Sequence, residues 1–248
     1  MRCEYLLVTD LDGTLLGDDA SLQAFRQHRE AIPTRMQLVY ASGRLVVDVR
    51  ALIAERELCA PDAIIGGVGT QIEFSEGMVV DWCRPTTASW DASRIRSLLH
   101  DLPLQPDRFQ TDHKVSFYLR DASDGILTAL QRLLSSAGIE ADLIYSSLRD
   151  LDVLPRGINK GTAAKFLAEH WGIKSSRVIV CGDSGNDLSL FQNPFRGVVV
   201  ANCLPELRQL SGGNIYFATE KYAAGVLQGI DHWLTQETAA GERACNGK

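Results

Sequence analysis

An apolar run from Tyr5 to Val8 breaks off into Thr9-Asp10-Leu11-Asp12-Gly13-Thr14, and a later run, Val-Ile-Val-Cys ending at Cys181, breaks off into Gly182-Asp183-Ser184-Gly185-Asn186-Asp187. Runs this short and this continuously apolar read as strands buried on both faces, the kind found in parallel sheets covered by helices. Acidic residues placed directly after such strands fall at the carboxyl edge of the sheet. That edge is the crevice where open α/β sheets bind ligands.

The rest of the chain follows the same alternation at both ends. A helix over about 21–32, a strand over 37–40, a helical stretch over 45–57 and a strand over 62–65 follow the first run. After Asp187 come a helix (NDLSLFQ), a strand (GVVVAN), a helix (LPELRQL), a strand (NIYFAT) and a closing helix over about 222–234. The middle lacks the glycine-rich turns and reads as helix (93–100), strand (114–119), helix (126–137), strand (142–146). The expectation is an α/β protein with a discontinuous, Rossmann-like core over 1–81 and 157–236 and an inserted α+β domain over 82–156. The polar tail 237–248 is expected to be disordered.

Composition narrows the function classes. The 248 residues carry a net charge of -6 and no Lys/Arg cluster, which argues against nucleic acid. No apolar stretch approaches the roughly 20 residues that span a bilayer. The scattered cysteines form no CxxC pair and read as reduced thiols in a cytoplasmic setting.

Asp10 and Asp12 repel each other, so a cation is the natural partner. Their hard oxygens suit Mg²⁺, which binds through one or two carboxylates plus a phosphate. Gly13 allows a tight turn, and the Thr14 hydroxyl can fix the loop. An EF-hand fails: Thr14 and Leu15 stand where a ligand and the required glycine belong. Ser42, in Ala41-Ser42-Gly43-Arg44, presents a hydroxyl and an N–H at the next helix start, either for an oxyanion or as a plain cap. Lys160, in Asn159-Lys160-Gly161, opens a helix and by itself reads equally as a solvated surface residue.

In this order, DLDGT, ASGR, NKG and GDSGND resemble the four motifs of the haloacid-dehalogenase phosphatase superfamily, and the insertion is similar to its C2-type cap. More narrowly, VGTQI, HKVSFYL and YSSLRDLDVLPRGINKG resemble the sucrose-phosphatase family, including its relative that hydrolyses mannosylfructose phosphate. The resemblance implies a Mg²⁺-dependent hydrolase in which Asp10 is the nucleophile and Asp12 the acid and base. Ser42 and Lys160 would stabilise the phosphoryl group. Asp10, Asp12 through its carbonyl, and Asp183 would hold the metal, with Asn186 and Asp187 as further ligands or orienting groups. The substrate would meet Ser42, Gly43, Arg44 and Asn186, and its sugar would meet Gly69, Thr70, Gln71, Lys114, Ser116 and Asp152. Gln71 departs from the acidic residue that sucrose phosphatases carry there, which leaves room for a mannosyl-fructose. A cognate sugar-phosphate synthase is an expected partner.

Three rivals are weighed on sequence alone. A signalling receiver domain also gathers acids, a Ser/Thr and a lysine at strand ends, although the DxD spacing and the insertion argue against it. A phosphoglucomutase of the same superfamily would return phosphate to a sugar and release little, and a non-catalytic sugar-binding relative is opposed by the filling of every candidate catalytic position. The five histidines show no HxH or HxxxH spacing, and Trp82 and Trp90 read as packing residues.

Overall fold

The computed structural model describes residues 4–31, 36–80, 82–83 and 89–246. The chain begins with β1 (Tyr5–Thr9), α1 (Asp19–Ala31), β2 (Met36–Ala41), α2 (Val46–Glu55) and β3 (Ala63–Gly66). It then turns back through β4 (Gln71–Phe74) and β5 (Val79–Val80), both antiparallel to their neighbours. The middle holds α3 (Ala92–Leu98), β6 (Val115–Tyr118), α4 (Asp124–Ser136), β7 (Ala141–Ser146) and β8 (Asp150–Pro155). Next come α5 (Lys160–His170), β9 (Val178–Gly182), α6 (Leu188–Phe191), β10 (Arg196–Val199), β11 (Ile215–Phe217) and α7 (Tyr222–Asn246).

Eight strands form one sheet in the order β11-β10-β9-β1-β2-β3-β4-β5. β1 lies in its interior, parallel to β2 on one side and β9 on the other. All five of its residues are buried, as a strand covered on both faces must be. Tyr5 and Leu7 join a core with α1 and α7, while Leu6 and Val8 join a second core with Ala163, Ala164 and Leu167 of α5. Each such fully buried leucine contributes about 1.5–3 kcal/mol. The sheet's connectivity reverses between β1 and β9, so Asp10 and Asp183 emerge at the switch point.

A second sheet, β6-β8-β7, is antiparallel and has its own apolar core, in which Ile95, Leu99, Val115, Phe117, Leu134 and Val153 are buried. The α/β class and parallel core therefore match expectation. Three local readings do not. LPELRQL is a series of turns rather than a helix: it is short, and its Leu204 N–H is spent on Asp183 O at 2.7 Å. β8 falls where no strand was expected. α7 continues past Gln236 to Asn246, where a disordered tail was expected; the added segment contains no proline and is rich in Ala, Glu and Arg, which favour helix. Ile32 and Asp81, at the expected helix and domain boundaries, lie outside the described residues. No described helix is long and apolar enough to cross a membrane.

Candidate active site

The Asp10 N–H donates to Cys181 O at 3.0 Å, carrying the β1–β9 ladder one residue beyond the strand. The chain then coils tightly, and the N–H groups of Thr14, Leu15 and Leu16 all converge on Leu11 O. Gly13 sits at φ +85°, and a Cβ there would lie 2.4 Å from Asp183 Oδ2. The glycine is required twice, by its backbone angle and by the carboxylate packed against it. Thr14 Oγ1 donates to Asp183 Oδ1 at 3.2 Å, the loop-fixing role expected for its hydroxyl. Asn202 Nδ2 donates to Gly13 O at 2.6 Å and Asn202 Oδ1 accepts from Tyr222 N at 3.0 Å, tying this turn to the start of α7.

Across the crevice, Asp187 Oδ2 accepts from the N–H groups of Asp183 and Ser184, which closes the second acidic loop on itself. Lys160 is not a surface lysine. It is completely buried, and its Nζ stands 2.7 Å from each of Asp10 Oδ1, Asn186 Oδ1 and Asp187 Oδ1. An Asn159–Thr162 capping box fixes the first turn of α5 that carries it. Gly69 and Gly161 permit close packing here: a Cβ on either would collide with backbone of Asn159 or Ser189.

The charges do not cancel. Carboxylate oxygens of Asp10, Asp183 and Asp187 lie within 4.8 Å of one another, against a single ammonium. Burial first, then the neighbouring carboxylates, push Asp10 well above the usual carboxylate range despite Lys160. Burial, followed by the charge of Asp187, pushes Asp183 up to about 7. Burial alone would lower Lys160, but Asp10 and Asp187 together hold it above its ordinary value. This all-oxygen donor set with surplus negative charge fits a hard divalent cation.

Ser42 is buried behind β2, and its Oγ accepts from Arg44 N at 3.1 Å. Arg44 in turn reaches Asp12 through both guanidinium edges, Nε to Oδ2 at 2.7 Å and Nη2 to Oδ1 at 2.8 Å. That hydrogen bond raises the Arg44 guanidinium above its already high value.

These groups open onto a cavity of about 620 Å³ between the two sheets. Asp10, Asp12, Gly43, Arg44, Asp183 and Asn186 line one side; Lys114 and Asp152 stand on the other. Lys114, Ser116 and Asp152 form a buried triad: Lys114 Nζ lies 3.0 Å from Asp152 Oδ1 and 2.8 Å from Ser116 Oγ, which donates to Asp152 at 2.6 Å. Ser42, Ser116, Lys160 and Asp187 stand behind the wall rather than in it. Gly69, Thr70 and Gln71 also lie outside the lining. Thr70 Oγ1 bonds Gly67 O, and Gln71 Oε1 accepts from Val46 N at 2.9 Å, capping α2, whose N-cap Leu45 has no side chain for the task. Sequence reasoning missed Gln105, Arg108, Tyr118, Ser147 and Arg149 as cavity residues. Of these, Ser147 and Arg149 lie inside the YSSLRDLDVLP segment already singled out, which was the available signal. Trp82 packs on Phe166 with ring centroids 6.0 Å apart, and Trp90 Nε1 donates to Asp112 O at 2.6 Å, as packing residues would.

The same span of chain, residues 3–234, matches the family model of sucrose-6F-phosphate phosphohydrolase. The chain belongs to that family. Among its relatives, a mannosylfructose-phosphate phosphatase of Agrobacterium fabrum is 37% identical over 238 residues, covering 92% of this chain and 96% of that protein. Sucrose-phosphatase 2 of Nicotiana tabacum is 34% identical over 92% of this chain but only 58% of the tobacco protein. The X-ray structure of the sucrose-phosphatase from Synechocystis sp. PCC6803, in complex with sucrose and phosphate, matches with TM-score 0.88 and 32% identity, over 94% of this chain and 98% of that one. This member of the sucrose-6F-phosphate phosphohydrolase family is a phosphoric monoester hydrolase of the haloacid-dehalogenase type. The signalling-receiver reading is thereby set aside.

Proposed function

We propose that this enzyme hydrolyses a disaccharide phosphate of the sucrose 6-phosphate type, with mannosylfructose phosphate as the alternative substrate. The observation that supports it best is Lys160, buried and shared between Asp10 and Asp187 at the end of a cavity large enough for a disaccharide. Residues 82–156 act as a cap over the core formed by 1–81 and 157–236, and the cavity lies at their junction.

Hydrolysis of phosphate monoesters can require rate accelerations up to about 10²¹-fold, so the path is divided in two. The Asp10 carboxylate attacks phosphorus, the ester P–O bond breaks, and Asp12 gives its proton to the departing sugar oxygen. Water then attacks the aspartyl phosphate, loses a proton to Asp12, and releases inorganic phosphate with Asp10 restored. Lys160 and Ser42 offset the charge that spreads over the phosphoryl oxygens. Magnesium, held by Asp10, Asp183 and the Asp12 carbonyl, with Asn186 and Asp187 as supporting ligands, supplies Lewis-acid charge neutralisation when bound. Gly43, Arg44 and Asn186 meet the phosphate end, and Lys114, Ser116 and Asp152 shape the sugar end.

The buried thiols of Cys181 and Cys203, which form no disulfide, support a reducing, cytoplasmic setting. A sugar-phosphate synthase is the partner class that would supply the substrate. A phosphate-release screen over sucrose 6-phosphate, mannosylfructose phosphate, trehalose 6-phosphate and monosaccharide phosphates tests the proposal. A clear preference for one of the first two is expected, and equal rates throughout would overturn it.

A further inference from the structure

Six described non-glycine residues adopt positive φ, and three of them meet at one place: Asp121 at 48°, Ser147 at 55° and Leu148 at 51°. Ser147 and Leu148 are the two central residues of the β7–β8 turn, closed by Arg149 N–H donating to Ser146 O at 3.2 Å. Asp121 N–H donates to Leu148 O at 2.9 Å, which braces the turn from the side. Positive φ at both central positions is the pattern that Asn-Gly or Gly-Gly ordinarily supplies, because other residues are strained there. A serine followed by an exposed leucine is a costly choice for a hairpin that glycine would serve better.

The position of the turn offers a reason. Ser146, Ser147, Arg149 and Asp150 all line the cavity. The strand leading into the turn is seated directly on the acidic loop of the core, since a Cβ on Gly185 would lie 2.3 Å from Tyr145 O. The turn is therefore held against the loop that carries Asp183 and Asn186, with Ser147 among the residues that line the cavity. We infer that Ser147 is a specificity-determining residue, whose hydroxyl contacts the sugar part of the substrate and whose strained backbone is retained for that contact. The inference rests on the sugar-phosphatase reading above.

Two substitutions separate contact from conformation. Ser147→Ala removes the hydroxyl and leaves the strain; Ser147→Gly removes both. Both should lower kcat/KM for the preferred disaccharide phosphate by about fivefold to tenfold, the worth of one hydrogen bond to a neutral group. Hydrolysis of p-nitrophenyl phosphate, which carries no sugar, should stay at the wild-type rate. Ser147→Gly should melt no lower than Ser147→Ala. Unchanged substrate ratios in both variants would overturn the inference, and so would loss in the alanine variant with recovery in the glycine variant, which would make the residue purely conformational. A wild-type enzyme that cleaves p-nitrophenyl phosphate but no sugar phosphate would instead overturn the proposed function, and this inference with it.

Discussion

Arg44 occupies both carboxylate oxygens of Asp12, at 2.7 and 2.8 Å. A guanidinium bound to both oxygens fixes the direction of the carboxylate and holds Asp12 at the cavity where the leaving group would stand. The guanidinium is also the group next to Ser42, on the side where a phosphate would arrive. Replacing Arg44 with alanine leaves Asp12 unheld. Turnover of sugar phosphates, whose alkoxide leaving groups need a proton, should fall about tenfold to hundredfold. Turnover of p-nitrophenyl phosphate, whose leaving group departs without one, should fall less, by the lost phosphate contact alone. Parallel kinetics on the two substrates check this.

Lys160→Met would place a similar volume between the Asp10 and Asp187 carboxylates and remove the buried ammonium that bridges them. Breaking a buried pair in this way costs about 3–5 kcal/mol. Denaturant unfolding in EDTA should show that loss, and phosphate release should be abolished.

Asp10→Asn should also abolish phosphate release, since an amide does not attack phosphorus. Unlike the lysine variant it should remain as stable as the wild type, because it removes a buried negative charge that burial first, and then the neighbouring carboxylates, disfavour. Thermal melts beside the activity assay distinguish the two outcomes.

Stripping metal with EDTA should silence the enzyme, and Mg²⁺ should restore it. Because the cation would bind only the folded carboxylate cluster, Mg²⁺ should also raise the melting temperature, by the equivalent of about 2.7 kcal/mol at a hundredfold excess over Kd. Gly13→Ala should blunt both responses, for the added methyl meets Asp183. Titrations followed by calorimetry check the binding independently of activity.

Gln71→Glu should leave the ranking of sugar phosphates unchanged. Its acceptor oxygen already serves Val46 N, and a carboxylate at a helix N-terminus is worth about 0.3–1 kcal/mol. The expected result is a small rise in melting temperature. A switch in substrate preference would show that this side chain reaches the cavity.

The elements that carry chemistry were the most legible in the sequence. The apolar runs of β1 and β9 each stop directly before an acidic loop, Asp10 after Thr9 and Asp183 after Gly182. Less legible was whatever depends on partners distant in the chain. β8 alternates Asp150 and Asp152 with apolar residues, and its charges disguised a strand whose Asp152 pairs with Lys114, the residue just before β6. The buried Glu73 in β4 finds its cation, Arg50, on α2 at 3.5 Å. Gln71 looked like a sugar ligand because its role is set by Val46, which only the tertiary structure brings to it. Lys160 could be told from a surface lysine only through the resemblance, since nothing in NKG itself announces burial.

β1 precedes every other strand of its sheet in the chain, yet Thr9 pairs with Cys181 on its far side. A growing polypeptide can lay β2 beside β1 early, but the other flank of the nucleophile's strand stays open until the intervening antiparallel sheet has left the ribosome. Such long-separation pairing is slow and exposes unpaired edges meanwhile. Catalytic competence in this molecule is thus a late event in its biogenesis, deferred until the polypeptide through Asp187 has been made.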